Sequence, residues 1–390
     1  MKQKVDIVII GGGPAGAVAG ITAAQAGYST LIVDKKTFPR EKICGDGLAA
    51  DSIRILKELN LWDQISKKGF LSKSLRFNID KDLFFSLDTS VVTYKRERLD
   101  DLLFNHALDS GCEYLNAFFT GNLKENKSEI LLTLAAEKKT LEICCKIVIF
   151  ATGCQGFSFL NKAYNNKLKQ PDLFAVRGYY KADWNLKNPE FFFDKKNPSA
   201  YSWIFPMGND LFNIGCGEKY PVPGNLKSSL QLFVKNYATT NSMLDGKWVS
   251  SISGTALRTG LSNLCYASVG RKLLAGAALG ATFPFSGEGI GKAMETGKLA
   301  AESAISMIKK PKIPKNYQKV LKKQVLPAYK PYKLASLLLT RSPSREILFS
   351  AISKKPQLRK KISAILNEEK GSEKVLSIKR ILQFISLYFN

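Results

Sequence analysis

At 390 residues, 45% hydrophobic and 23% charged, the chain is long enough for two or three structural units and has a globular composition, which excludes a disordered or fibrous protein. Seven cysteines without a Cys-x-x-Cys pair and a single histidine, His106, argue against a zinc site, so no metal is expected and the thiols read as reduced. The net charge of +25 is uneven, because residues 309–390 hold 20 Lys and Arg against 4 Glu.

The first ten residues include Lys2, Lys4 and Asp6 and run straight into glycines. They lack the layout of a secretory signal, and no stretch is long and apolar enough for a transmembrane helix. A cytoplasmic location is expected. Residues 5–10 read as a buried strand. Gly11-Gly12-Gly13-Pro14-Ala15-Gly16 and an alanine-rich helix follow. Glycines at 11, 13 and 16 fit the turn that lets a backbone approach a pyrophosphate on a helix N-terminus. A second strand, 29–33, delivers Asp34, with Lys35 beside it, where a carboxylate can bind a ribose diol. That carboxylate disfavours a 2′-phosphate, and so disfavours NADP at this site.

A helix over 99–110 carries His106, read as structural. Cys144 and Cys145 fall in a strand, where neighbouring side chains face opposite ways, which disfavours pairing. Residues 147–153 are a buried strand that breaks at Ala151-Thr152-Gly153. Between 161 and 258, short runs rich in aromatic and β-branched residues alternate with Asn, Pro and Gly, which predicts a mainly antiparallel sheet. Tyr201, Trp203 and Phe205, ahead of Pro206, share one face of such a strand, either as core or as a cavity wall. A last strand-and-turn unit ends at Gly276-Ala277, followed by Phe283-Pro284-Phe285-Ser286-Gly287-Glu288-Gly289-Ile290 and a helix. Backbone N–H groups at Gly289 and Ile290 suit the N1–C2=O edge of an isoalloxazine. Three glycine-broken strand ends in this order predict FAD. A carboxylate near reduced flavin is unfavourable, so Glu288 is expected to point away.

With these anchors the chain resembles the geranylgeranyl reductase family, within the flavoproteins that include the aromatic hydroxylases, from residue 4 to about 305. Phe38-Pro39-Arg40-Glu41-Lys42-Ile43-Cys44-Gly45-Asp46-Gly47 is similar to the family's Lys-x-Cys-Gly stretch beside the flavin, in the form seen in the branch that reduces menaquinone tails. Tyr201-Ser202-Trp203-Ile204-Phe205-Pro206 resembles its Tyr-x-Trp-x-Phe-Pro motif lining an isoprenoid cavity, and Arg96-Glu97-Arg98-Leu99-Asp100 its Arg-x-x-Leu-Asp, whose first arginine reaches the cofactor. The resemblance implies an α/β fold: a Rossmann-like FAD-binding domain of the glutathione-reductase type, an inserted antiparallel-sheet substrate domain, and a helical C-terminal tail. The expected boundaries are FAD-binding parts at 1–75, 96–160 and 259–308, substrate-sheet segments at 76–95 and 161–258, and a basic helical region at 309–390.

Two positions depart from the pattern. The family usually has Gly-Asp where this chain has Gly276-Ala277, and the aspartate accepts a hydrogen bond from the ribityl chain. Its loss costs about 1.5–3 kcal/mol, roughly 10- to 100-fold in FAD affinity, and raises the reading of a non-catalytic flavin binder. Aromatic hydroxylases commonly have Ala-Asp-Gly at the position of Ala151-Thr152-Gly153.

The implied reaction reduces carbon–carbon double bonds of a polyprenyl lipid with hydride from flavin N5, fed by NAD(P)H or a reduced carrier. The alternatives are a flavin monooxygenase on an aromatic or polyketide-like substrate, or a halogenase. Cys44 and Asp46 are the candidates for proton supply; Cys44 can instead be a small residue under the ring, and Asp46 the cap of a helix starting near residue 50. The basic tail, interleaved with apolar clusters at 335–339, 347–349 and 381–385, either docks on an anionic membrane, making the protein peripheral at its inner face, or packs its apolar side on the body. No nucleic-acid partner is expected.

Overall fold

Val5, Ile7, Val8, Ile9 and Ile10 are all buried, as a strand covered on both faces requires. The computed structural model, which describes residues 3–79, 83–137, 139–154, 157–193, 201–222, 224–310, 316–340 and 342–369, places them in the strand Gln3–Ile10 inside an eight-stranded sheet. This strand pairs in parallel with Thr30–Asp34 on one side and Lys139–Phe150 on the other; Lys272–Leu274 lies parallel beyond the latter. The register aligns Ile10 with Phe150, and Phe150 with Leu274. All three glycine-broken ends therefore stop at one level on one edge of the sheet.

Helix Pro14–Gln25 leaves the first of these ends, with proline at its start, where a missing N–H is harmless. It packs against helix Ile290–Lys309, and small residues set the closeness of that contact. A Cβ on Gly297 would stand 2.1 Å from the Ala15 carbonyl oxygen, and one on Gly16 would stand 1.7 Å from that of Gly11. Nothing larger than hydrogen fits at either position.

A second sheet of nine strands runs in the order Lys247–Trp248, Leu173–Lys181, Leu211–Lys219, Tyr201–Pro206, Glu190–Phe193, Phe70–Asn78, Phe84–Thr93 and Gly47–Leu48, with Ser253–Leu257 also on Leu173–Lys181. Its pairs are antiparallel except Glu190–Phe193 with Phe70–Asn78. The α/β class with a Rossmann-like parallel sheet, a second antiparallel sheet and a helical C-terminal region is the fold expected from the sequence.

Helices Tyr329–Leu339, Ser342–Lys354 and Pro356–Leu366 close over the second sheet. Leu339, Phe349, Ile352 and Leu358 are buried in one cluster with Phe85, Leu87 and Phe193. Tyr332 stacks on Phe283 with ring centres 3.9 Å apart, and Tyr329 meets the same ring at 4.7 Å. Among the described residues through 366, then, most of the tail's apolar side packs on the body, and the clusters at 335–339 and 347–349 are committed largely to that core, with Leu337 left exposed. The cluster at 381–385 lies outside the described residues. Among those described, no helix is long and apolar enough to cross a membrane.

Candidate active site

Two helix N-termini open into one cavity of about 440 Å3. Helix Pro14–Gln25 starts from Gly13 and helix Ile290–Lys309 from Gly289, neither with a capping side chain, so their first N–H groups can receive an anion. Gly11 takes φ 108° there, and a Cβ on it would lie 2.4 Å from the Ala151 carbonyl oxygen. Asp34 accepts from the Gly12 N–H at 2.8 Å and the Lys36 N–H at 3.0 Å. These bonds fix the carboxylate at the cavity rim while leaving it further lone pairs for a diol.

Of the residues singled out from the sequence, Gly11, Gly13, Pro14, Ala15, Asp34, Lys35, Cys44, Gly45, Asp46, Arg96, Ala151, Gly153, Gly276, Ala277, Gly287, Gly289 and Ile290 border this cavity, together with Tyr201, Trp203 and Phe205. Two stand elsewhere. Gly16 sits one turn into its helix, beneath the Gly11 carbonyl. Pro206 is turned to the sheet, its carbonyl accepting from Thr93 Oγ1 at 2.5 Å. An uncapped helix end at each side, an anchored carboxylate and side-chain-free approaches between them suit a long dianionic dinucleotide with a flat ring, so these residues fit FAD.

Under the second sheet, Asp46 is fully buried at φ 63°. It accepts from Tyr179 Oη at 2.7 Å, Asn213 Nδ2 at 2.9 Å and the Arg96 N–H at 3.3 Å. Burial raises its pKa, opposed by Tyr179, Arg177 and Asn213. Asn213 also donates to the Cys44 carbonyl at 2.8 Å and accepts from Trp203 Nε1 at 3.0 Å. The Cys44–Gly47 turn is thereby tied to residues far along the chain. Asp46 does not cap the helix Ala50–Glu58, whose cap position is Ala49, with no side-chain bond. Arg96 forks onto Asp100 at 2.6 and 2.9 Å, Arg40 reaches Asp100 at 3.2 Å, and the Cys44 thiol is a further partner of Arg96. Burial lowers the pKa of Lys42 at the same rim, and Arg96 adds to that.

Glu288, expected to point away from the flavin, is a residue of the cavity walls. It borders the cofactor cavity and also a second, apolar cavity of about 160 Å3 roofed by the C-terminal helices. Leu75, Phe191, Tyr201 and Ser286 border both as well. Burial pushes the Glu288 carboxyl up to about 8, with Asp51 and Glu368 adding to the shift and Lys292 opposing it. The partners Tyr179, Arg177 and Asn213, and the carboxyl of Glu288, were not legible as site residues beforehand: no local pattern marks a contact such as Asn213 to Asp46, which spans 167 positions.

Residues 4–163 match the FAD binding domain family. The chain is 29% identical over 326 residues to a menaquinone reductase of Mycobacterium tuberculosis, covering 77% of each. It is 28% identical over 319 residues to a digeranylgeranylglycerophospholipid reductase of Methanosarcina mazei, covering 79% of this chain and 77% of that one. Among solved structures, a geranylgeranyl bacteriochlorophyll reductase-like protein from Thermoplasma acidophilum superposes with a TM-score of 0.75 over 99% of this chain and 96% of its own, at 20% identity. That last likeness speaks for the fold alone. With an FAD-binding domain that holds the first two strand ends, and reductase relatives along more than three quarters of its length, the chain is an FAD-dependent oxidoreductase similar in sequence to menaquinone and digeranylgeranylglycerophospholipid reductases.

Proposed function

We propose that the protein reduces carbon–carbon double bonds of an isoprenoid lipid. One observation carries this reading: an apolar cavity meets the cofactor cavity along a shared wall of Leu75, Phe191, Tyr201, Ser286 and Glu288. Reduced FAD, when bound, supplies hydride to carbon. The chain's own residues hold the alkene in place and keep the site dry. A cavity of about 160 Å3 is close to the roughly 150 Å3 that admits a benzene-sized hydrocarbon, so it takes on the order of one isoprene unit. Each buried methylene contributes about 0.8 kcal/mol, which suits a hydrocarbon substrate and no polar one. A longer chain has to part the covering helices or leave between them.

At the flavin end, Cys44 with Arg96, and the turn held by Asp46, are assigned to positioning the ring and substrate. Gly45 and Gly47 face the Phe205 ring, with which a Cβ on either would make ordinary van der Waals contact at 3.4 and 3.5 Å. Lys330 and Lys333 are exposed on helix Tyr329–Leu339, which lines the apolar cavity, and Lys322 and Lys323 are exposed just ahead of it. They favour an anionic membrane surface, where such a lipid resides, as the place of work.

The test is an anaerobic incubation of FAD-loaded protein with a two-electron reductant and a polyprenyl quinone or glycerolipid, read by mass spectrometry. Gain of two hydrogens per reduced bond is the expected product. Incorporation of oxygen on admitting air, with no hydrogenated product, would instead make the protein a monooxygenase.

A further inference from the structure

Glu288 is the carboxyl-bearing residue that borders both cavities; Cys44, Asp46 and Arg96 border only that of the cofactor. Its backbone is fixed, since the carbonyl accepts from the Phe283 N–H at 2.7 Å and the N–H donates to Ser286 Oγ at 3.4 Å. Its carboxyl makes no hydrogen bond or ion pair among the described residues.

The surroundings explain why a proton stays on it. Asp51 faces it from helix Ala50–Glu58, Lys292 from its own helix, and Glu368 from beyond helix Pro356–Leu366. Tyr201 of strand Tyr201–Pro206 and Tyr332 of helix Tyr329–Leu339 complete the ring of neighbours. Lys292 is the cation in this set, and it is taken by others: Glu295 at 2.8 Å, Glu368 at 3.1 Å and Asp51 at 3.8 Å. Tyr201 Oη is committed to the Ser286 carbonyl at 2.7 Å. Glu288 therefore meets low dielectric and uncancelled negative charge, both of which favour the neutral acid.

We propose that Glu288 is the proton donor of the reduction, giving its proton to one alkene carbon while the other receives hydride from reduced FAD. This rests on the reading given under Proposed function. The π bond is lost and two C–H bonds form; both electrons come with the hydride, and Glu288 is left as the carboxylate. It recovers a proton from solvent through the Asp51–Glu368 cluster, whose outer members Glu368 and Arg54 have side chains 31% and 45% exposed. A nicotinamide or another two-electron reductant restores the flavin. A neutral acid also removes the conflict between a carboxylate and a reduced, anionic flavin edge.

The experiment compares full-length wild type, Glu288→Gln and Glu288→Asp. The first readout needs no turnover: infrared difference spectra on stepping pH should show a protonated carboxyl band that disappears near pH 8 in wild type and is missing from Glu288→Gln. The second is anaerobic single turnover, in which an isoprenoid alkene oxidises the reduced flavin. Glu288→Gln should slow that step about 100- to 10,000-fold with unchanged FAD affinity, and Glu288→Asp should recover part of the rate. A Glu288→Gln protein that reacts at the wild-type rate overturns the assignment, as does a Glu288 already ionised at pH 6. Loaded wild type that never passes hydride to an isoprenoid removes the proposed function, and the acid's role with it.

Discussion

Arg258, fully buried, donates from Nη1 to the carbonyl oxygen of Ala277 at 3.0 Å. Its guanidinium lies over the Phe157 ring at 4.5 Å, and its Nε and Nη2 have no hydrogen-bond partner among the described residues. Ala277, where the family resemblance implies an aspartate, thus sits beside a cation whose charge is poorly compensated. Ala277→Asp brings a carboxylate to the cavity rim next to that cation instead of an apolar wall. It should tighten FAD by roughly 10- to 100-fold, or about 1.5–3 kcal/mol, in a fluorescence titration. Equal affinity in both proteins would show that the ribityl chain is held by other groups.

Gly16→Ala should be poorly tolerated. The added methyl meets the Gly11 carbonyl oxygen at 1.7 Å, and that oxygen belongs to backbone at a sheet end, with no rotamer to yield. Overpacking against rigid surroundings costs about 1–3 kcal/mol, and here the upper end is expected. Denaturant unfolding should show the loss. FAD affinity should fall too, because the turn at Gly11 and Gly13 has to shift.

Asn213→Ala tests the turn beneath the flavin site. It removes donors from the Asp46 carboxylate and the Cys44 carbonyl, and an acceptor from Trp203 Nε1. Unpaired buried groups cost about 1–3 kcal/mol each, more for a charged one, so a loss of at least about 2 kcal/mol is expected. A stable variant with unaltered flavin spectrum would mean that water replaces the amide.

Stability should fall as pH rises from about 4.5 to about 8. The unfolded chain releases the Glu288 proton near the ordinary value of 4.5, the folded chain only near 8, so the folded state binds more protons throughout that window. Burial raises the pKa values of Asp46 and Asp51 too, so they act in the same direction. Thermal melts across this range should slope less steeply for Glu288→Gln. An identical slope would place the proton elsewhere.

Reversing Lys322, Lys323, Lys330 and Lys333 to glutamate should release the protein from anionic liposomes at low salt without altering its fold, since all four are exposed. Unchanged vesicle binding would remove these lysines from any membrane contact. Deleting the whole tail is the poorer experiment, because Leu339, Phe349 and Leu358 are core.

Much of the cofactor site was legible because its signals are local. Gly11, Gly13 and Asp34 mark turns and strand ends through backbone geometry that only certain residues allow, and such constraints act within a few positions of the chain. Tyr201, Trp203 and Phe205 were placed on one face by strand alternation alone. The fate of the C-terminal helices was not legible in this way. Amphipathic patterning shows that a face seeks apolar contact, and a membrane and a protein core satisfy it equally well.

By itself, then, the sequence determined the class of fold, the three strand ends and the FAD they cradle, because each is written in short-range pattern. Tertiary structure decided what those patterns meet: that Asn213 holds Asp46, that the tail roofs an apolar cavity, and that Glu288 stands at its junction with the flavin site. The cause is physical. Burial and the charge of distant neighbours set whether a carboxyl keeps its proton, and both depend on which parts of the chain are brought together.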